Sequence, residues 1–354
     1  MQIGISRSLL LNLISYVGLA GFSWTTVMAA EAVTLANVTP PGENSRDEPF
    51  TKAYSLDKAS SFLDSAALTW QKEQKCFTCH TNYAHLYARP DTPTNQSAPS
   101  EVRKFAEELI TQRWEEKGPR WDAEVVATGA ALAFNDAATS RHLHPLTRKA
   151  LDRMFTVQRD DGGFTWIKCD WPPMESDDHY GATLAAIAIG VAPDDYAKSE
   201  AAQQSLTKLR EYFKNNPGTT LHHRAMMLWA NSYVKGILSE DESAKVVSEL
   251  LALQKADGGW GLATLGDWKR ADGKEQDLQS SDGYGTGFAL YILRRGGVPA
   301  EDPRIQRGVE WLKSHQRESG RWFTRSLHKD SMHYITHAGS AFAVMALREC
   351  DLAK

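Results

Sequence analysis

Gln254-Lys-Ala-Asp257-Gly258-Gly259-Trp260 returns as Gln158-Arg-Asp-Asp161-Gly162-Gly163-Phe164 and, more loosely, as Gln316-Arg-Glu-Ser319-Gly320-Arg321-Trp322. Self-similarity of this kind marks a repeat architecture and is read before any single residue. Each copy is followed by an irregular stretch and then by an apolar run of small residues: Gly181 to Ile189, Gly285 to Leu293, and Gly339 to Leu347. These runs are apolar nearly all round, which suits helices buried on most faces. The stretch before each glutamine is amphipathic, as in Arg304 to His315 with Ile305, Val309, Trp311 and Leu312, and predicts an outer helix. The glycines end that helix and permit a tight turn.

Weaker copies fill the gaps. Glu101 to Arg113 with Asp122 to Phe134 is one outer–inner pair, Ser205 to Lys214 with Leu221 to Tyr233 another, and Asp57 to Gln71 with Tyr83 onward the first. The count is about six helix pairs at a period of roughly 40–60 residues, enough to close into a ring. No strand alternation competes, so residues 52–354 are expected to form one all-α domain. With 42% hydrophobic and 24% charged residues over 354 positions, the chain is globular and not disordered. A net charge of -4 gives no field for polyanions, so nucleic acid is not an expected partner. Four cysteines are too few for a disulfide scaffold.

The Q-x-x-D-G-G-W/F turns, each ahead of a small-residue inner helix, resemble the repeats of squalene–hopene cyclases and the related protein prenyltransferases. The resemblance implies an α6/α6 toroid in which the glutamine and the aromatic residue tie consecutive helices together around the outside. The chain is about half as long as a two-domain triterpene cyclase.

Aligning the three good inner helices puts Asp178, Asp282 and Thr336 at one position. His179, Gly283 and His337 share the next, followed by Tyr180, Tyr284 and Ala338. Asp122, Glu124, His222, His223, Asn82 and Tyr83 fall near the same level in the weaker copies. In a closed ring these first turns converge on one mouth. Ser176, Asp177, Ser280 and Asp282 are also good helix N-caps, and capping accounts for much of the Asp and Ser signal. It does not account for the histidines. A helix N-terminus disfavours imidazolium, so His179, His222, His223 and His337 are candidate neutral ligands or bases.

Cys76-Phe-Thr-Cys79-His80 matches C-x-x-C-H, the attachment signature of c-type haem. In that reading the two thiols add to the haem vinyl groups and His80 is the proximal iron ligand. The sixth ligand is one of His85, His179, His222, His223 or His337, or the position stays open. Counting from Gln71, Cys76 takes the second-glycine position of the repeat turn and Phe77 the aromatic one. Three other readings stay open: a zinc site of Cys76, Cys79 and His80 with an Asp or His from the ring, a redox-active or structural disulfide, and chance spacing in a chain with few cysteines. Cys169 and Cys350 read as unpaired thiols.

Glu175-Ser176-Asp177-Asp178 looks like the D-x-D-D acid motif of squalene–hopene cyclases and class II diterpene cyclases. The resemblance gives Asp177 the role of alkene-protonating acid, tuned by Glu175 and Asp178. Two departures stand out. The first Asp is Glu, and His179-Tyr180 follows in place of Thr-Ala. A protonated histidine beside the acid holds it ionised, which opposes alkene protonation; Asp177, Asp178 and His179 are the candidate catalytic residues. Trp121, Trp166, Trp171, Trp268, Trp322 and Phe323 either line an apolar cavity and stabilise a cation through their faces or serve as repeat packing, and packing is expected for Trp260 and Trp322, which hold the repeat's aromatic position. The Pro172-Pro173 loop and the stretch from Gly261 to Ser280 are candidate lids.

Residues 1–30 carry one charged side chain, Arg7, and an apolar run from Leu9 to Val17 before small residues at Ala29 and Ala30. This predicts a signal peptide and a periplasmic or otherwise exported protein with no membrane span after cleavage. Residues 31–51 read as a linker. Together these features point first to a haem-dependent oxidoreductase or electron-transfer protein with an apolar, isoprenoid-sized cavity and a redox partner. The alternatives are a single-domain cyclase or isomerase using Asp177 as acid, and a non-catalytic protein that binds lipid or glycan.

Overall fold

The computed structural model describes residues 32–77, 79–89 and 96–351. The expected signal peptide and Thr78 lie outside the described residues. Among the described residues thirteen α-helices follow one another: α1 (Leu56–Gln74), α2 (Ala84–Ala88, entered through a π-helical turn at Cys79–Tyr83), α3 (Ser97–Glu108, continued by a π turn at Leu109–Arg113), α4 (Trp114–Glu116), α5 (Asp122–Ala138), α6 (Pro145–Thr156), α7 (Asp178–Val191), α8 (Glu200–Asn215), α9 (Leu221–Tyr233), α10 (Glu240–Ala252), α11 (Gly283–Arg295), α12 (Pro303–Ser314) and α13 (Ile335–Asp351). Among the described residues no strand forms, only isolated bridges between Phe50 and Arg317 and between Trp171 and Glu175. No described helix is long and apolar enough to cross a membrane.

The starts of these helices are written into the sequence. Asp177, Thr220, Asp282 and Asp302 each accept a backbone N–H of the helix they cap. Ser239 and Glu242 form a capping box at α10. Pro145 and Pro303 open α6 and α12, where the missing N–H costs nothing.

The packing closes the ring. α5 lies against α7, α7 against α9, α9 against α11, α11 against α13, and α13 against α2, which returns to α5. α1, α3, α6, α8, α10 and α12 stand outside them. The inner helices are buried accordingly: in α7 every residue from His179 to Ile189 is buried, and in α13 every residue from Thr336 to Leu347.

The repeated turn does the tying. Gln158 Nε2 donates to Gly162 O in its own turn (2.9 Å) and to Ser205 O of α8 (3.2 Å). Gln254 does the same to Gly258 O (2.9 Å) and Arg304 O of α12 (2.7 Å). Gln316 reaches Gly320 O (3.0 Å) and Ser55 O at the cap of α1 (2.9 Å), joining the last repeat to the first. Gly162, Gly258 and Gly320 have φ of 87°, 91° and 96°, a region that favours glycine. A Cβ there would strike the carbonyl of Lys208, Arg307 or Lys58 on the next outer helix. In the first repeat Lys75 holds the equivalent place, with φ of 48°. Trp260 and Trp322 are fully buried, and each indole N–H donates to a carbonyl of the preceding outer helix, Leu250 or Leu312, at 2.7 Å. They serve as repeat packing.

The segment expected to be a linker runs along the sixth repeat. Arg321, 3% exposed, donates to Gly42 O (2.8 Å), Glu43 O (2.9 Å) and Asn44 Oδ1 (2.6 Å), and Thr51 N donates to Gln316 O (2.8 Å). Residues 40–51 are therefore part of the wall where the ring closes.

Candidate active site at the helix mouth

The register read from the repeats is the structural one. Asp178 accepts the N–H of Trp166 (3.1 Å), Asp282 that of Leu262 (2.7 Å) and Thr336 that of Thr324 (3.0 Å). Each donor lies two residues after the repeat's aromatic side chain. This position fastens the turn to its inner helix. Asp178 also pairs with Arg159 (2.7 Å) and Lys168 (3.2 Å). Burial works to raise its pKa, but Arg159, the Trp166 amide and Lys168 outweigh that and hold it low. Asp282 has only neutral donors: the amides of Gly285 and Leu262 and the hydroxyl of Thr324. Burial dominates there and pushes its carboxyl up to about 6.

Asp177 is placed differently. Its Oδ1 caps α7, accepting from His179 N (3.1 Å) and Tyr180 N (3.2 Å). Its Oδ2 accepts from Ser176 Oγ (3.1 Å) and lies 3.0 Å from His223 Nε2. Burial again raises the pKa, but the His223 hydrogen bond and charge, the helix amides and Ser176 outweigh it, so the carboxyl is held well below the ordinary range. His223 is held from its other side by Thr219 Oγ1 at 3.3 Å from Nδ1. His179 stacks on His223 with ring centroids 4.5 Å apart and touches Phe213 at 5.5 Å. Both its ring nitrogens are buried without a hydrogen-bond partner among the described residues. Burial, reinforced by His223, pushes it down to about 3, so this imidazole stays neutral.

Behind this group the ring is filled with aromatic side chains. His222 Nε2 lies 3.0 Å from the Tyr284 hydroxyl, and its ring stacks on Phe288 at 4.6 Å. Tyr180 and Trp268 approach it at 6.4 and 6.1 Å. Full burial drives its pKa far down. Trp166 packs on Tyr180 at 5.6 Å and donates to Met174 O (2.7 Å). Trp121, by contrast, is 55% exposed.

The remaining sequence candidates sit apart from this dyad. His80 and His337 are linked through Thr81, whose Oγ1 is 2.7 Å from His80 Nδ1 and 3.0 Å from His337 Nδ1. Asn44 Nδ2 stands 3.3 Å from the other side of His337. Trp70, Trp171 and Tyr334 enclose His80 at 4.8, 6.0 and 5.8 Å. Burial lowers His80 to about 4. Burial, then His80 and Arg321, lowers His337 to about 3. Cys79 is buried, which drives its thiol pKa well up. Cys76 Sγ accepts from Trp70 Nε1 at 3.4 Å. His85 Nε2 is 2.8 Å from Asp64, which also accepts two bonds from Arg89 (2.6 and 2.8 Å). Among the described residues no three His, Cys, Asp or Glu side chains are grouped to hold a metal ion. The six candidate ligands are thus split between His80/His337, His179/His223, His222 and His85.

Glu175 was assigned only a tuning role by the sequence, yet burial pushes its carboxyl up to about 7. The signal was its place beside Pro172-Pro173 on a tight turn, now seen as paired backbone bonds between Glu175 and Trp171. The Asn44, Thr81 and Asp64 contacts had no local signal, because their partners are 293, 256 and 21 residues away.

Residues 223–350 match the family model of the squalene-hopene cyclase C-terminal domain. No curated protein matches. Among solved structures, the ent-copalyl diphosphate synthase from Streptomyces platensis is similar at 17% identity over 75% of this chain and 49% of that one, with a TM-score of 0.49. A protein from Actinoplanes (14%, 77% and 89%, 0.48) and the type II terpene cyclase MstE from Scytonema (12%, 83% and 100%, 0.48) are also similar. The chain spans about half the length of the Streptomyces synthase. The expectation of a haem-dependent oxidoreductase or electron-transfer protein is corrected by the cyclase-domain match, which supports the terpene-cyclase alternative. In repeat architecture, in closed ring and in the match over residues 223–350, the chain resembles the squalene–hopene cyclase and protein prenyltransferase toroid family.

Proposed function

We propose that the chain is a squalene–hopene-cyclase-like terpene cyclase of one toroid. It protonates a carbon–carbon double bond of an isoprenoid substrate and lets the resulting cation close a ring. The observation that carries this reading is the match of residues 223–350 to the squalene-hopene cyclase C-terminal domain. That stretch begins at His223, the partner of Asp177.

The chemistry follows from the dyad. In its reactive form the pair carries one proton beyond a carboxylate and a neutral imidazole, and that proton lies between His223 Nε2 and Asp177 Oδ2, 3.0 Å apart. A carboxyl acidified by helix amides and an imidazole gives up a proton readily once it holds one, which a weak base such as an alkene requires. The proton passes to an alkene carbon, leaving the dyad one proton short and a carbocation on the substrate. A second double bond of the substrate supplies the electron pair that closes the ring. The new cation then loses a C–H proton. His179, neutral and with both nitrogens unpartnered, is the acceptor nearest the dyad and returns the proton to it. The faces of Tyr180, Trp268, Tyr284 and Phe288 supply cation stabilisation. Trp268, which meets His222 at 6.1 Å, lies on the irregular stretch between Gly266 and Ser280. Export to the periplasm belongs to the same proposal and is supported by the pattern of residues 1–30.

The test is incubation of the full chain with squalene and with linear polyprenyl diphosphates in heavy water, followed by mass spectrometry. A cyclised product carrying one deuterium, lost in Asp177→Asn and in His223→Ala, is expected. Absence of any cyclised or isomerised product from every substrate overturns the proposal.

A further inference from the structure

A cavity of about 280 Å³ lies where the first and sixth repeats meet, and it belongs to neither the Asp177–His223 dyad nor the aromatic centre. Its walls are the end of α1 (Ala66, Thr69, Trp70, Glu73, Gln74), the start of α13 with its approach (Asp330 to His337), and the segment Pro40 to Asn44.

Three properties of the lining decide what fits. Trp70 and Tyr334 stand 5.2 Å apart at 78°, so two aromatic walls meet nearly at a right angle. Glu43, Glu73 and Asp330 line the same cavity, and among the described residues no lysine or arginine does. Asp330 is paired with Arg270, Lys274 and Arg325, but no cation of the described residues pairs with Glu43 or Glu73. The imidazole of His337 adds no opposing charge, because burial keeps it neutral. A neutral apolar guest would use the rings and leave the carboxylates without purpose. A small hydrated metal ion would use the carboxylates and leave the rings without purpose. A cation with an apolar surface uses both, since its charge is attracted by the ring faces as well as by the carboxylates. The volume, at the small end for ligand pockets, restricts the guest to a compact head group.

We propose that this cavity is a binding site for an alkylated, most favourably quaternary, ammonium group, held in the angle formed by Trp70 and Tyr334 and neutralised by Glu43 and Glu73. The site is independent of the cyclase reading and does not require turnover. The open end beside Glu43 and Glu73, both exposed, lets a longer molecule trail into solvent. The segment Pro40 to Asn44 forms one wall and is itself fixed by Arg321, so the cavity exists before any ligand arrives, which lowers the ordering cost of binding.

The experiment titrates the full chain with tetramethylammonium and choline, following tryptophan fluorescence and calorimetric heat. The comparator is 3,3-dimethylbutan-1-ol, the neutral analogue of choline with carbon in place of nitrogen. Saturable binding of both cations is expected, at least tenfold tighter than the neutral analogue and weakened by added salt. Glu43→Gln with Glu73→Gln, two exposed positions whose exchange leaves the melting temperature unchanged, loses about tenfold in affinity, and Trp70→Leu loses more. Equal binding of the cation and its neutral analogue, no saturable binding of either cation, or undiminished affinity in the double glutamine variant each overturns the proposal.

Discussion

The third and fifth repeats share a turn, an aromatic plug and an inner helix, yet among the described residues the start of the inner helix is ion-paired in the third and not in the fifth. Position by position, Ser176-Asp177-Asp178-His179 of the third stands where Ser280-Ser281-Asp282-Gly283 stands in the fifth. Asp178 and Asp282 do the same work, fastening the turn to the helix. Their pKa values move in opposite directions because Arg159 and Lys168 reach the first and no cation of the described residues reaches the second. The serine at 281 bonds to Asp257 within its own turn (2.8 Å), whereas Asp177 in the same place turns to His223. At 283 a Cβ would meet Trp322 Cβ at 2.5 Å and its carbonyl at 2.6 Å, so the fifth repeat has no room for a side chain where the third holds an imidazole. Two substitutions on one scaffold separate a structural tie from a chemical site.

The largest effect that sharpens this contrast is expected from Asp177→Asn. Asparagine still caps a helix, so unfolding in denaturant changes by no more than about 1 kcal/mol, while cyclisation rate falls by about 10² to 10⁴. Loss of fold in place of loss of rate would make Asp177 a cap and nothing more. Next is Gly283→Ala, whose added carbon meets the Trp322 backbone and is expected to cost about 1–3 kcal/mol. A fully stable variant, measured by the same denaturant midpoint, would show that the fifth repeat is not sterically closed.

Asp282 gives a test by pH. Its folded pKa of about 6 lies above the ordinary unfolded value near 3.9. The folded state therefore binds more protons between these values, and stability falls as pH rises from about 4 to about 6, at up to about 1.4 kcal/mol per pH unit. Asp282→Asn also disturbs hydrogen bonds, so the slope and not the absolute stability is the readout, and that slope should flatten. Asp177 contributes with the opposite sign: its lowered pKa supplies stability above the unfolded value that is lost on acidification. His179→Phe removes two buried nitrogens without partners and keeps a flat ring against Phe213 and His223, so stability is expected to hold or rise by about 1 kcal/mol while turnover falls. The smallest effect is at the first repeat, where Lys75→Gly relieves the left-handed strain and should raise stability by about 0.5 kcal/mol after the entropy cost of glycine.

Much of the fold was readable along the chain because its signals are local. A glycine at positive φ, a cap at a helix start and an apolar run of small residues are each set within a few positions, and Asp178, Asp282 and Thr336 aligned correctly from the repeat spacing alone. Cys76-Phe-Thr-Cys79-His80 shows the limit of such local signals. Its spacing suggested a cofactor turn, but the surroundings of His80 come from Trp70, Thr81, Trp171, Tyr334 and His337, which no short motif contains. Residues 40–51 looked like a free linker because nothing near them in sequence shows Arg321 waiting 277 residues away.

The order of helices, their ends and the period that closes six pairs into a ring are determined by the amino-acid sequence itself, since backbone preference and burial periodicity act over one or two turns. Which carboxylate is charged, which imidazole is left without a partner and which aromatic faces border a cavity were decided only in three dimensions. Asp177 meets His223 across 46 residues, and a side chain's charge depends on the distance to its neighbours through space and not along the chain.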